Sequence, residues 1–141
     1  MIKKIQFTLI IALAIVLTGC ASLKSQKSPT ANLNTLKSFY VQKLPADGRG
    51  IERIISDQLN LLGYKSTYGD TSKPSNTVDA IVTYQDRWMW DITMYMLRLN
   101  IQIRDGETSM VLASGESYRP SLQRKSPDEM VREVLSKILD K

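Results

Sequence analysis

Few side chains in this sequence have the chemistry of a nucleophile, an acid–base catalyst or a metal ligand. Cys20 is the only cysteine, and the chain contains no histidine, so the commonest general base and metal ligand is missing. Asp86 and Asp91 flank a predicted turn. They are either an acid–base pair, calcium ligands or solvated turn residues. No oxygen-rich loop surrounds them, which favours the solvated turn. Gly48-Arg49-Gly50 is too short for a phosphate-binding motif and is predicted to be a turn. The sequence therefore predicts a protein that is not an enzyme and has no metal and no cofactor.

Cys20 directly follows a segment with the properties of an export signal. Lys3-Lys4 give a short positive start, and residues 5–17 are almost wholly apolar. This apolar run is shorter than the ~20 residues that a membrane-spanning helix needs, and its length is typical of a signal peptide. The segment ends in Leu17-Thr18-Gly19-Cys20, which resembles the lipobox of bacterial lipoproteins. The resemblance implies cleavage between Gly19 and Cys20, diacylglycerol on the Cys20 thiol and a fatty acid such as palmitate on the new amine.

The alternative for Cys20 is an ordinary signal peptide, or an uncleaved anchor, with a chance cysteine. A lone thiol in an exported protein cannot form an internal disulfide, whereas lipid attachment gives this thiol a role. Two or three acyl chains make a durable anchor. Ala21 follows the cysteine where, in Gram-negative lipoproteins, an aspartate usually marks retention in the inner membrane. For a Gram-negative source, the resemblance therefore implies an outer-membrane lipoprotein that faces the periplasm.

The composition predicts one small domain behind the anchor. Removing residues 1–19 from the 141 leaves 122 residues, and the loss of two lysines lowers the net charge from +5 to +3. This weakly basic chain gives no reason to expect a nucleic acid partner. Residues 20–35 are rich in Ser, Lys, Asn and Thr and are predicted to be a flexible tether. Its lysines either contact anionic lipid headgroups or are simply solvated, and residues 36–141 form the periplasmic domain.

The hydrophobic pattern of the domain predicts alternating strands and helices. A first helix over 47–62 has Asp47 as its cap, Gly63 at its end and Glu52 among its outward residues. A last helix begins with the capping box Ser126-Pro127-Asp128-Glu129. The predicted strands are 36–42, a short one at 64–68, 78–85, 92–104 with a bulge near Met96, and 109–118 after a hairpin at Asp105-Gly106. This order predicts an α+β two-layer sandwich (β-α-β-β-β-α), a mainly antiparallel sheet of about four strands with two helices on one face.

The segment from Tyr84 to Asp91 is the most unusual in the chain because both tryptophans lie in it among charged residues. Strand alternation places the two rings on one side. Exposed Trp beside Arg is typical of binding hot spots and of membrane interfaces. The alternative is that both rings cover one end of the core, which is where tryptophans more often lie. The candidate partner contacts are Asp86, Arg87, Trp88, Trp90 and Asp91.

The whole layout resembles a broad group of small Gram-negative outer-membrane lipoproteins of uncharacterised function. The matching elements are the lipobox, the strand at 39–41, the helix end Leu59 to Tyr64, and Val78-Asp79-Ala80. The resemblance implies a non-enzymatic module that binds an envelope protein or glycan, or helps to assemble envelope machines as similar domains in activators of peptidoglycan synthases do. The alternatives are a structural envelope-maintenance lipoprotein without a dedicated partner, and an enzyme that uses carboxylates such as Asp86 and Asp91.

Overall fold

The computed structural model describes residues 1–2 and 19–141, which form a six-stranded sheet and two α-helices. Most of the predicted signal peptide, including Leu17 and Thr18 of the lipobox, lies outside the described residues. The elements are, in chain order, β1 (Ser22–Lys27), β2 (Ser38–Gln42), α1 (Ile51–Leu61), β3 (Lys65–Gly69), β4 (Ala80–Asp91), β5 (Thr93–Asp105), β6 (Val111–Tyr118) and α2 (Pro127–Leu139). Short 3₁₀ turns cover Leu33–Thr35 and Ser121–Gln123.

The sheet has the strand order β1-β6-β5-β4-β2-β3. Strands β1, β6, β5 and β4 are antiparallel, whereas β2 is parallel to both β4 and β3. The α+β class and the two helices are as predicted, but the sheet is mixed and has six strands, rather than a mainly antiparallel sheet of about four. Residues of the two helices pack with alternate strand residues into one core, which includes Val41, Ile55, Ile101 and Leu135.

Strand β1 is absent from the prediction, which assigned its residues to a flexible tether. Residues 22–27 instead pair with β6 along their whole length, from Ser22 opposite Tyr118 to Lys27 opposite Ala113. Only Leu23 of this strand packs against the core, so the strand is held mainly by backbone hydrogen bonds. Polar, lysine-bearing sequences are typical of edge strands. The folded domain therefore begins at Ser22, and only Ala21 lies between it and Cys20.

The start and end of α1 and the start of α2 each have a local cause, and the start of α1 differs from the prediction. Helix α1 begins at Ile51 rather than Asp47, although the Asp47 carboxylate still accepts a hydrogen bond from the Ile51 amide over 2.9 Å. Gly63 follows the helix with φ of 93°, a conformation that glycine adopts without strain. Ser126 and Glu129 form the predicted capping box of α2, and Pro127 begins that helix.

Strands β4 and β5 form a long hairpin that continues past the rest of the sheet. The prediction placed a turn between Asp86 and Asp91, but β4 is continuous to Asp91, and Ile92 alone separates it from β5. The predicted bulge is confirmed: the register shifts where Arg87 pairs with Arg98 and Trp88 with Met96, so that Leu97 is the extra residue. Because of this bulge, Met96 and Leu99 are both buried although they are three residues apart.

Candidate functional site

The candidate site is the tip of the β4–β5 hairpin, defined here as residues 89–94. Cross-strand pairs join Met89 to Tyr95, Trp90 to Met94 and Asp91 to Thr93. Large apolar side chains are exposed here: Trp90 is 70% accessible, Ile92 89% and Met94 47%, and Leu122 of the nearby 3₁₀ turn is 89% accessible. A concentration of exposed apolar side chains marks an interaction surface more often than a defect.

The backbone at Ile92 is in an unusual conformation. Its φ of 62° lies in the left-handed region, which is sterically costly for a β-branched side chain. Tight hairpin turns of this kind normally place Gly, Asn or Asp at such a position. A large apolar side chain therefore stands at the tip despite a conformational cost, which is a pattern typical of functional surfaces.

Arg124 holds the hairpin tip in place. Its guanidinium group donates hydrogen bonds to the Asp91 carbonyl oxygen over 2.7 Å and to Thr93 Oγ1 over 2.6 Å. The same group stacks on the Tyr95 ring, 4.2 Å from the ring centroid. The Asp91 carboxylate also accepts a hydrogen bond from Ser121 and lies 3.5 Å from Arg124. These contacts join the tip to the segment between β6 and α2. The hairpin therefore projects from the sheet but is braced, that is, held in place by Arg124 and Ser121.

The two tryptophans lie on one face of the hairpin but in different surroundings. Trp88 is half-buried: its Nε1 donates to the Asp86 carboxylate over 2.5 Å, and the Arg49 guanidinium stacks over its ring at 4.0 Å. Trp90 is exposed. The core interpretation of this segment therefore describes Trp88, which covers the end of the core. The contact interpretation describes Trp90, which faces outward.

The charged members of the predicted contact set do not converge on one point. Asp86 is occupied by Trp88, and Asp91 is bound by Ser121 and Arg124. Arg87 is exposed and pairs across the hairpin with Arg98. The structure therefore assigns local structural contacts to Asp86 and Asp91, and it leaves the apolar tip as the prominent surface.

Cys20 lies at the same end of the molecule as the hairpin. Cys20 and Gly19 are exposed, and a Cβ placed on Gly19 would lie 3.6 Å from the Pro120 ring. The amide of the next residue, Ala21, donates a hydrogen bond to Gln123 Oε1 over 3.1 Å. The predicted lipid-attachment residue therefore stands next to the segment that braces the hairpin.

A buried carboxylate cluster beneath the hairpin was not predicted. The Tyr84 hydroxyl donates to the Asp47 carboxylate over 2.7 Å and lies 3.3 Å from Glu52, which is buried rather than outward-facing as predicted. Burial raises the pKa of Asp47, but hydrogen bonds from Tyr84 and from the amides of Arg49 and Ile51 outweigh it and hold the pKa below its ordinary value. The cluster ties the start of α1 to β4, which is a structural role.

Glu133 of α2 forms a second charged cluster. It accepts hydrogen bonds from Ser117 and Lys125 over 2.5 Å each, and Arg119 binds it through two nitrogens at 2.5 and 3.0 Å. Burial raises the pKa of Glu133, but Arg119, Lys125 and the Ser117 hydroxyl lower it by a larger amount. The pKa of Glu133 therefore lies below its ordinary value. These bonds fix the chain as it passes from β6 to α2.

The face of the sheet opposite the helices carries a shallow depression, whose lining includes Leu44, Pro45 and Ile81 as well as polar side chains. Its volume is about 480 Å³. Amide, hydroxyl and guanidinium side chains line it, including Gln42, Thr83, Gln85, Asn100, Gln102 and Arg104. Within residues 19–141, no group of three or more acidic or cysteine side chains is arranged to hold a metal ion. No helix among the described residues has the length and apolar character needed to cross a membrane.

Comparisons with known proteins show the fold of this chain. No family model matches it, and no curated protein sequence matches it. The chain is similar to the PelC dodecamer from Paraburkholderia phytofirmans, with a TM-score of 0.63 and 14% identity over 85% of this chain and 99% of that chain. A PDZ domain protein from Parabacteroides distasonis gives a TM-score of 0.53 and 12% identity over 90% of this chain and 37% of the other.

A third solved structure, a minor lipoprotein from Acinetobacter baumannii, gives a TM-score of 0.43 and 15% identity over 74% of this chain and 92% of that chain. At these identities the similarities to PelC and to the PDZ domain protein show a shared α+β fold alone.

Proposed function

We propose that this chain is a lipid-anchored protein of the bacterial envelope that acts as a non-enzymatic binding or assembly module. The observation that carries the proposal is the braced hairpin tip, where Trp90, Ile92 and Met94 are exposed. Exposed apolar side chains contribute little to folding, and Ile92 carries a backbone cost as well. Their placement is explained if another component of the envelope covers them.

The anchor is the second part of the proposal. The lipobox motif ending in Cys20 supports lipid attachment at this residue, and β1 begins only two residues later. A domain attached so closely works at the membrane surface rather than at the end of a long tether. Ala21 after the cysteine supports placement in the outer membrane, facing the periplasm, for a Gram-negative source.

The non-enzymatic part of the proposal rests on how the acidic side chains are used. Asp47 and Glu52 bind Tyr84, Glu133 binds two cations, and Asp86 binds the Trp88 indole. Each has a structural contact that explains its position. The enzyme alternative requires convergent carboxylates in a cleft, and Asp86 and Asp91 have separate local partners instead.

The alternative of a structural lipoprotein without a dedicated partner expects a polar surface around the tryptophans. The exposure of Trp90 and Ile92 favours the binding module over that alternative. The similarity to PelC, a protein whose solved structure is a dodecamer, adds a copy of the chain itself to the candidate partners, next to an envelope protein or a glycan.

Photo-crosslinking in living cells tests the binding module directly. A photoreactive amino acid replaces Met89 or Met94 at the tip, and a matched variant carries it at Met110, an exposed apolar residue in the opposite, β5–β6 turn. The proposal predicts that tip positions give discrete adducts with an envelope protein, glycan or lipid, and that Met110 gives none of these. Equal labelling at both ends, or no adduct at the tip, contradicts the proposal.

A further inference from the structure

We propose that the hairpin tip and Leu122 insert into the interfacial layer of the same bilayer that holds the Cys20 lipid, so that the domain docks on the membrane in one orientation. This inference rests on the proposed lipid anchor and names the partner of the proposed contact surface. The occupant is the lipid headgroup and upper acyl region. A protein occupant is left as an outcome that would refute it.

The register of the sheet places the anchor and the hairpin at one end of the domain. Ser22 pairs with Tyr118, Tyr118 with Arg98, and Arg98 with Arg87, which forms one row across four strands. The chain before Ser22 leaves the sheet on one side of this row, and residues 88–97 of the hairpin extend on that same side. The other end of the sheet holds the β5–β6 turn.

The relative reach of the two segments fits a membrane contact. Asp91 lies four residues beyond Arg87, so the tip extends about 13 Å past the row at ~3.3 Å per residue. Cys20 lies two residues before Ser22 and is therefore at most ~7 Å past the same row. A bilayer that holds the acyl chains of Cys20 thus meets the hairpin tip without any movement of the domain.

The segment between β6 and α2 joins the two elements physically. Gln123 binds the Ala21 amide, and the adjacent Arg124 binds the hairpin at Asp91 and Thr93. Leu122, which is exposed, stands in the same segment. The orientation of the anchor relative to the tip is consequently fixed by hydrogen bonds.

The chemistry of the tip matches the interfacial layer of a bilayer. Trp prefers the headgroup level, where its ring is partly apolar and its N–H stays hydrated. Ile92, Met94 and Leu122 supply apolar surface beside it. The acidic residue nearby, Asp91, is neutralised by Arg124 and hydrogen-bonded to Ser121. Insertion therefore requires no unpaired carboxylate to leave water.

Depth-dependent fluorescence quenching tests the inference. The full-length lipoprotein, extracted from membranes and mass-verified, is reconstituted into phosphatidylethanolamine–phosphatidylglycerol vesicles that contain nitroxide lipids. Trp88→Phe leaves Trp90 as the single reporter, and Trp90→Phe leaves Trp88. We expect Trp90 emission to shift to the blue and to be quenched by nitroxide lipid severalfold more than Trp88 emission. Trp90 should also be protected from a water-soluble quencher.

Charge variants provide the matched comparison in the Trp88→Phe background. Ile92→Asp is expected to reduce lipid quenching of Trp90 severalfold, whereas Met110→Asp at the opposite end leaves it unchanged. If Trp88→Phe does not fold, Ile92→Cys with a nitroxide label gives the same answer, since a membrane-inserted label is more accessible to oxygen than to a water-soluble nickel complex.

The inference and the anchor fail in different ways. Trp90 that is open to the water-soluble quencher and insensitive to nitroxide lipid, in protein with a verified lipid adduct, overturns the docking and leaves the anchor intact. If the mass shows no adduct on Cys20, the anchor proposal fails, and quenching of the unlipidated chain added to the same vesicles still decides the docking. Photo-crosslinks from the tip to a protein alone, with no quenching of Trp90 by nitroxide lipid, would also refute the docking.

Discussion

The backbone amide of Ala21 donates a hydrogen bond to the side-chain oxygen of Gln123 over 3.1 Å. This bond joins the residue after the proposed lipidated cysteine to the segment that braces the β4–β5 hairpin through Arg124. The anchor, the brace and the exposed tip thus form one connected end of the domain.

Arg124→Ala should loosen the hairpin tip without unfolding the domain. The substitution removes hydrogen bonds to the Asp91 carbonyl and Thr93 and the stacking on Tyr95. We expect amide hydrogen exchange to become at least several-fold faster in the tip, while the core strands stay protected. Hydrogen-exchange mass spectrometry measures this. Arg132→Ala, on the exposed side of α2, is the control, and equal exchange at the tip in both variants would contradict the bracing role.

Gly115→Val should destabilise the domain through the contact between β6 and α2. A Cβ at Gly115 would lie 2.8 Å from Ile138 and 3.0 Å from Val134, both buried side chains. Overpacking of this kind costs about 1–3 kcal/mol of unfolding free energy. Chemical denaturation of the variant measures the loss. Ser114→Val places the same side chain on the open face and should change stability much less, so similar losses in both would argue against this packing.

Acid should destabilise the domain partly through Asp47. Its folded-state pKa lies below the ordinary 3.8, so the stability it contributes is complete above that value and is lost as the pH falls through the folded pKa. Asp47→Asn should therefore cost about 1–3 kcal/mol at neutral pH and flatten the acid limb of the stability curve. Denaturation midpoints from about pH 7 to about pH 3 test this.

Glu133 contributes to the acid dependence that remains without Asp47. Its pKa is also lowered, by Arg119, Lys125 and Ser117 against the effect of burial, so it loses a favourable contribution over the same acidic range. The Asp47→Asn variant should thus keep a shallower acid limb. An unchanged slope would mean that the pKa of Asp47 is the same in the folded and unfolded states, which contradicts the lowered pKa.

Ser126→Ala should weaken the start of α2. The Ser126 hydroxyl accepts a hydrogen bond from the Glu129 amide, and the Glu129 carboxylate accepts one from the Ser126 amide. Loss of such a cap costs about 0.5–2 kcal/mol. Thermal unfolding measures it, with Ser75→Ala in the exposed loop before β4 as the control. A neutral result at Ser126 would show that packing alone holds this helix end.

The parts of the fold that were predictable have strong local signals. The capping box of α2 follows from Ser126, Pro127 and Glu129, and the β5 bulge follows from the change in apolar alternation between Met96 and Leu99. Strand β1 was missed because its sequence is polar and its pairing with β6 is a backbone interaction. The extent of β4 was missed because Ile92, a poor turn residue, occupies the turn.

Only part of the candidate site was predictable from the sequence, because the burial of its side chains depends on residues that are distant in the chain. The alternation of Trp88 and Trp90 placed both rings on one face, but their burial depends on long-range contacts. Arg49, which covers Trp88, comes from the turn before α1, and no pattern in the sequence links the two. The Asp47–Tyr84 bond and the burial of Glu52 depend on the same distant contacts.

The intact mass of the protein extracted from its native membrane tests the lipid anchor most directly, with a Cys20→Ala variant measured beside it. We expect a chain that lacks residues 1–19 and carries diacylglycerol and acyl mass on Cys20, with both changes absent from the variant. A chain that still begins at Met1, or a Cys20 of unmodified mass, would contradict the anchor.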